Sequence, residues 1–199
     1  MHCQDSPSAL DIAPHLCITT FHMTSIAVPP VFTLRAPRYE DVAIYTAFMA
    51  DPEVTIWLED RCQRPVLFQH AQAFVLGEAW CRLAVECEGL FAGMTGLEDF
   101  DPVNGVARFF IVIGDHSLAA KGLGTAITRA VVSRGFRDLG LRKIVSNFYA
   151  PNVASRAVHA HAGFSEEGVL RQVAWRRGEW VDQVLVSMLR DEWRQAKKP

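Results

Sequence analysis

The chain has 199 residues, half of them hydrophobic, which suits one domain with a sizeable core and would leave two full domains cramped. A formal net charge of −2 gives no electrostatic footprint for nucleic acid or an anionic membrane surface, so binding must come from a local site. The five cysteines, Cys3, Cys17, Cys62, Cys81 and Cys87, are odd in number and lack the close pairs that a zinc site or a redox motif requires, which fits a reduced cytosol and no metal.

Residues 1–30 read as an extension ahead of one domain spanning 31–195. Pro7, Pro14, Pro29 and Pro30 interrupt them, and no apolar period is sustained. Asp5, Asp11 and the broken apolar run Ile26 to Phe32 argue against a secretory signal, and no segment reads as a membrane span. Met23 is a candidate start, because periodic sequence begins soon after it. Phe32 to Arg35 predicts a strand, and Arg38 to Met49 a helix with Val42, Tyr45, Phe48 and Met49 at three-to-four spacing. A second helix is expected over Pro65 to Leu76, with Pro65 in its first turn. Trp80 to Glu86 and Leu90 to Leu97 predict a hairpin turning at Glu88-Gly89, and Val106 to Ile113 adds a third antiparallel strand after the turn Asp101 to Gly105. A helix follows with Leu123, Ile127, Val131, Gly135 and Leu139 on one face, ending at Gly140. Lys143 to Tyr149 is then a strand, Asn152 or a neighbour caps a helix running to Ala162, and Glu167 to Trp175 pairs with Trp180 to Leu189. This order predicts an α/β mixed sheet covered by helices.

The stretch Ile111 to Ala130 carries the chemistry. An apolar strand runs through a short loop into Gly122-Leu123-Gly124 and directly into a helix. The first amides of a helix have no partner within it, the macrodipole adds partial positive charge there, and glycine lets an anion approach the main chain. The segment predicts a phosphorylated ligand. It is no P-loop, since Lys121 precedes the glycines and Thr125-Ala126 follow them, and no dinucleotide fingerprint, since Ile127 stands where a small residue is needed.

From about Phe32 to Trp193 the chain resembles the GCN5-related N-acetyltransferase (GNAT) superfamily, most of all its ribosomal-protein-alanine N-acetyltransferase (RimJ/RimL-like) branch. Lys121-Gly122-Leu123-Gly124 resembles the end of the family's acetyl-CoA pyrophosphate loop. Asn152-Val153-Ala154-Ser155, Ala162-Gly163-Phe164 and Glu167 to Arg171 resemble the next block, and Trp180-Val181-Asp182, Met188-Leu189-Arg190 and Glu192-Trp193 the C-terminal strand and tail. The resemblance implies a mostly antiparallel sheet splayed between two central parallel strands, Val106 to Ile113 and Lys143 to Tyr149, with helices on both faces. It implies acetyl-CoA as cosubstrate, its pyrophosphate on the amides of Lys121, Gly122, Leu123, Gly124 and Thr125, its pantetheine arm along Ile111, Val112 and Ile113, and a contact from Asn152.

The implied activity is acetyl transfer to a primary amine by direct attack on the thioester. The amine belongs to a protein N-terminus, an amino sugar, a polyamine or another small molecule. Two side chains are candidates to protonate the leaving thiolate: Ser155, which matches the branch's serine, and His159, which matches a tyrosine of other relatives; the alternative for His159 is a polar residue on a helix surface. No base carries over, because Arg108 stands where many relatives have glutamate, although Glu98, Asp99 and Asp101 could relay a proton through water. Ala119 replaces a Gln or Arg of the family's loop. Trp57, Glu98, Trp175 and Arg176, with Arg177 and Trp180, are placed near the acceptor opening, with at least one of Trp175 and Trp180 packed on the sheet. The expected protein is cytosolic, a monomer or homodimer. Two other readings are a non-catalytic acyl-CoA-binding module and a purely structural interaction protein.

Overall fold

Alternating apolar strands and amphipathic helices assemble a single mixed sheet with a helical layer on each face. The computed structural model describes residues 30–119 and 121–196; most of the N-terminal extension, with Met23, Cys3 and Cys17, lies outside the described residues. In chain order the elements are β1 (Phe32–Arg35), α1 (Tyr39–Met49), α2 (Pro52–Thr55), α3 (Phe68–Leu76), β2 (Cys81–Cys87), β3 (Leu90–Asp101) and β4 (Val106–Ile113), followed by α4 (Leu123–Arg137), β5 (Lys143–Tyr149), α5 (Val153–Ala162), β6 (Ser165–Arg176), β7 (Glu179–Leu189) and α6 (Arg190–Gln195). Short 3₁₀ turns occupy Asp60–Gln63 and His116–Leu118.

The sheet order is β1-β2-β3-β4-β5-β7-β6. Neighbours run antiparallel except β4 and β5, which are parallel. Two hairpins turn on a pair of left-handed residues, Glu88-Gly89 and Arg177-Gly178, the backbone that matches strand twist across a two-residue loop. The β4–β5 pairing is short: Val106, Ala107 and Arg108 face Lys143, Ile144 and Val145, and the ladder ends there, while β5 stays paired with β7 through Tyr149.

One face of the sheet packs Leu123, Ile127, Val131, Val132 and Phe136 of α4 against Phe109, Ile144, Phe148, Phe164, Val184 and Val186. The other packs Val42, Tyr45 and Met49 of α1 and Ala71 and Val75 of α3 on Ala84, Phe91 and Met94. The guanidinium of Arg35 joins layer to sheet, holding both oxygens of buried Asp41 at 2.8 Å and Glu86 at 2.6 Å. Asp41 also accepts the Arg38 amide at 2.7 Å and so caps α1.

Several expected boundaries move. The helix expected from Pro65 begins at Phe68, because Leu67 is extended and Pro65 and Val66 line a cleft instead. β3 continues past Leu97 to Asp101 through a bulge in which Asp99 takes a left-handed backbone. α4 stops at Arg137, and the chain closes over its end with Leu141 donating to the Gly135 carbonyl and Gly140 left-handed. Asp51, which accepts the Glu53 amide at 2.9 Å, starts the unexpected helix α2.

Ile127 lies fully buried at the centre of the α4 face. Ile127→Ala is expected to cost about 2–5 kcal/mol, seen as a lower denaturant midpoint with an unchanged slope.

Candidate active site

Strand geometry places the first half of the site. The Gly114 amide donates to the Ala92 carbonyl at 3.0 Å and the Val112 carbonyl faces Gly93, so the even-numbered residues of β4 turn their main chain toward β3. Phe109, Ile111 and Ile113 therefore turn theirs the other way, where β5 has already diverged. The amides and carbonyls of Ile111 and Ile113 face an open V, while the Phe109 carbonyl, at its narrow end, accepts from Ser146 Oγ at 3.1 Å. Of the three residues expected along the arm, Val112 differs: it lines the cleft but spends its carbonyl side on β3.

The V opens into a cleft of about 1020 Å³. At one end are Ile113, Gly124 and Val158, where α4 begins. Gly122 caps α4 in a left-handed conformation (φ 74°, ψ 0°), followed at once by helical residues. This left-to-right-handed step turns successive amides into one concavity. The first amide bonded into the helix is that of Ala126, to the Gly122 carbonyl at 3.1 Å, so those of Leu123, Gly124 and Thr125 point out of its end. A phosphate fits this cradle. Leu123 itself has its side chain in the core, Lys121 is exposed, and Gly124 lies where a Cβ would press on Val158 at 3.0 Å, so its glycine serves the close approach of α4 and α5.

The middle of the cleft is walled by α5 and β5. Asn152 caps α5, its Oδ1 accepting the Ser155 amide at 3.0 Å. Ser155 lines the cleft with its hydroxyl 3.3 Å from His159 Nδ1. His159 is not a surface residue. It is 3% exposed, enclosed by Phe109, Phe148 and Phe164, with Nδ1 2.8 Å from the Ser155 carbonyl and Nε2 2.9 Å from Ser146 Oγ. Burial pushes its imidazole below the usual value of 6.5, opposed only by the bond to the Ser155 carbonyl. Ser146 was absent from the expected site. Its signal in the sequence is a lone hydroxyl at the inward parity of β5, between Ile144 and Phe148.

Beyond the V the cleft widens among Tyr45, Met49, Trp57, Leu58, Arg64 and Phe74, with Glu98 and Arg108 facing each other across β3 and β4. Trp57 and Glu98 both line this part of the cleft. Arg108 Nε lies 3.0 Å from Asp99 Oδ2 without hydrogen-bond geometry. Asp101 is no proton relay: its oxygens hold the Val103 and Asn104 amides and the Asn104 side chain, closing the turn. Trp175 and Trp180 do not line the cleft; they pair across β6 and β7 and meet edge-on at 5.3 Å with more than half of each exposed.

Arg176, placed near the acceptor opening by the sequence, is engaged by protein groups. It is buried, donates to Asp60 at 2.6 Å, the Leu58 carbonyl at 3.0 Å and the Tyr149 hydroxyl at 3.2 Å, and thereby fastens the last hairpin to the loop around Trp57. Burial pushes the Tyr149 hydroxyl up, with Arg176 opposing. Arg177 repeats the fastening, reaching Glu53 at 3.0 Å and lying over the Trp57 ring.

A family model of the acetyltransferase (GNAT) domain matches residues 32–165. Among curated relatives, a Bacillus subtilis (strain 168) protein provisionally named ribosomal N-acetyltransferase YdaF is 33% identical over 106 residues, covering 53% of this chain. The spermidine N(1)-acetyltransferase of Escherichia coli (strain K12) is 27% identical over 112 residues, covering 56% of this chain. The chain spans 57% and 60% of the lengths of these two relatives. Among solved structures, spermidine N-acetyltransferase from Vibrio cholerae, in complex with CoA and spermine, matches with a TM-score of 0.72 at 20% identity over 82% of this chain and 98% of that one. That likeness shows the fold.

The groups packed against His159 come from β4 (Phe109), β5 (Ser146, Phe148), the end of α5 (Phe164) and α5 itself (Ser155), and none is ionisable. Its proton is therefore bound more tightly by the unfolded chain. Stability contributed by neutral His159 is full above about pH 6.5 and is lost as pH falls from there through the lower folded value, by up to about 1.4 kcal/mol per pH unit. Comparison of thermal unfolding between pH 7.5 and 5 should show this loss in the wild type and not in His159→Leu.

Proposed function

Since the chain belongs to the GNAT acetyltransferase family, we propose that it is an acetyl-CoA-dependent N-acetyltransferase, cytosolic, acting on a primary amine. The carrying observation is the continuous cleft: it joins the amide cradle at the start of α4, through the V, to a separate aromatic and charged chamber, so a cofactor and an acceptor can meet from opposite ends.

The amides of residues 121–125 would hold the pyrophosphate, and the V-facing main chain of Ile111 and Ile113 the pantetheine arm, with Asn152 beside it. The neutral amine attacks the thioester carbonyl carbon. The N–C bond forms as the carbonyl electrons move to oxygen, where an outward β4 amide stabilises the charge. Return of those electrons breaks the C–S bond, the departing thiolate takes a proton from Ser155, and the proton shed by the new amide nitrogen passes through water to restore the Ser155 hydroxyl. His159 is the weaker candidate for that proton, because both its nitrogens are engaged by protein groups and burial keeps the ring neutral.

The acceptor chamber carries both signs of charge, Glu98 beside Arg108, on an aromatic floor. The relatives named for ribosomal and spermidine acetylation support an acceptor that is a protein N-terminus or a polyamine. Arg108 in the place of a base favours one second reading, a module that holds acyl-CoA without turnover.

The test is a calorimetric titration with acetyl-CoA followed by CoA release over a panel of amines. Tight binding with release on at least one amine is expected. Gly122→Glu should abolish binding by placing a carboxylate in the cradle, and Ser155→Ala should lower kcat about 100-fold with acetyl-CoA affinity retained. Binding with no release on any amine would favour the module.

A further inference from the structure

The V leaves β4 with a problem at Phe109. Its carbonyl points toward β5 one residue beyond the last ladder pair, where no strand amide meets it. Ser146 Oγ stands in, 3.1 Å from the Phe109 carbonyl and 2.9 Å from His159 Nε2, while His159 Nδ1 reaches the Ser155 carbonyl at 2.8 Å. The run Phe109–Ser146–His159–Ser155 thus ties β4, β5 and α5 together at the narrow end of the V.

Hydrogens can be assigned to this run. The Ser155 carbonyl only accepts, so Nδ1 carries the hydrogen, and in a neutral ring Nε2 is an acceptor. Ser146 then has one hydrogen for two acceptors, Nε2 and the Phe109 carbonyl. Such an arrangement, buried among Phe109, Phe148 and Phe164, costs more to build than an apolar pair of the same volume. Local rules are broken in this way where a site needs it.

We propose that Ser146 and His159 are positioning residues, which set the Ser155 hydroxyl on α5 and the outward main chain of β4 at a fixed separation across the V. The proposal rests on the acetyltransferase reading and adds to it. His159 orients Ser155 through both its carbonyl and its hydroxyl, and Ser146 orients His159 and Phe109. The pair acts at the reacting end of the cleft, away from the cradle at the start of α4. Its loss therefore reduces turnover far more than cofactor binding.

The experiment compares wild type, Ser146→Ala, His159→Leu and the double variant by thermal unfolding, acetyl-CoA titration and kcat on the best amine. Ser146→Ala strands both His159 Nε2 and the Phe109 carbonyl and lowers Tm, and the double change, which leaves only the Phe109 carbonyl without its donor, recovers part of that loss. The proposal expects kcat to fall at least about tenfold in all three, the partly recovered double variant included, with the acetyl-CoA Kd within about threefold of wild type. Recovery of kcat together with Tm in the double variant, or an unchanged kcat in Ser146→Ala, would overturn it and leave the pair a packing feature. A wild type that binds no acetyl-CoA overturns the cofactor reading as well, which the titration reports before any variant is compared.

Discussion

The arrangement depends on one interrupted ladder. Parallel β4 and β5 stay together for three residue pairs and then part, although each remains bonded to its outer neighbour. A sheet that splits must leave main-chain groups without partners, and buried groups of that kind are costly unless something else meets them. At Phe109 a side chain does so; at Ile111 and Ile113 the amides and carbonyls stay directed into the cleft. The gap persists because each half of the sheet is held from its own side. β4 is pinned to β3 by Thr95, buried and bonded to the Phe110 carbonyl at 2.9 Å, and β5 is pinned to β7 along its whole length.

The helices follow from that gap. α4 leaves β4 by a short loop and packs Leu123, Ile127 and Val131 on the face that both strands share, which aims its N-terminus at the opening. α5 returns over the same face and fills the divergence with an imidazole and a serine. The opposite face, under α1 and α3, shapes the aromatic chamber of the cleft through Tyr45, Met49 and Phe74. The amide cradle and the aromatic chamber thus lie on the two faces of one sheet, joined through the split.

Much of this was legible in the sequence, for identifiable reasons. The strand, the glycines and the long amphipathic helix lie next to each other in the chain, so their local periods reveal the cradle without knowledge of tertiary structure. The hairpins announced themselves through Glu88-Gly89 and Arg177-Gly178. What failed depended on distant partners. Arg176 could be placed only near the acceptor opening, because Asp60, Leu58 and Tyr149, which hold it, are far away in sequence. Ser146 went unremarked because a serine in a strand is ordinary until its parity is matched to a histidine on another element. Pro65 suggested a helix start, yet the segment after it is used as cleft wall.

The fastening of the last hairpin to the loop around Trp57 has a consequence for how such a chain can change. Arg176 and Asp60 are 116 positions apart, and Arg177 and Glu53 are 124 apart, yet each pair closes the same wall. A substitution in the loop that removes Asp60 leaves a buried guanidinium behind it, so change in this wall has to proceed through paired replacements at distant positions in the chain. Among homologues, these two segments are expected to vary together, and a loop transplanted without its hairpin would arrive without its anchor.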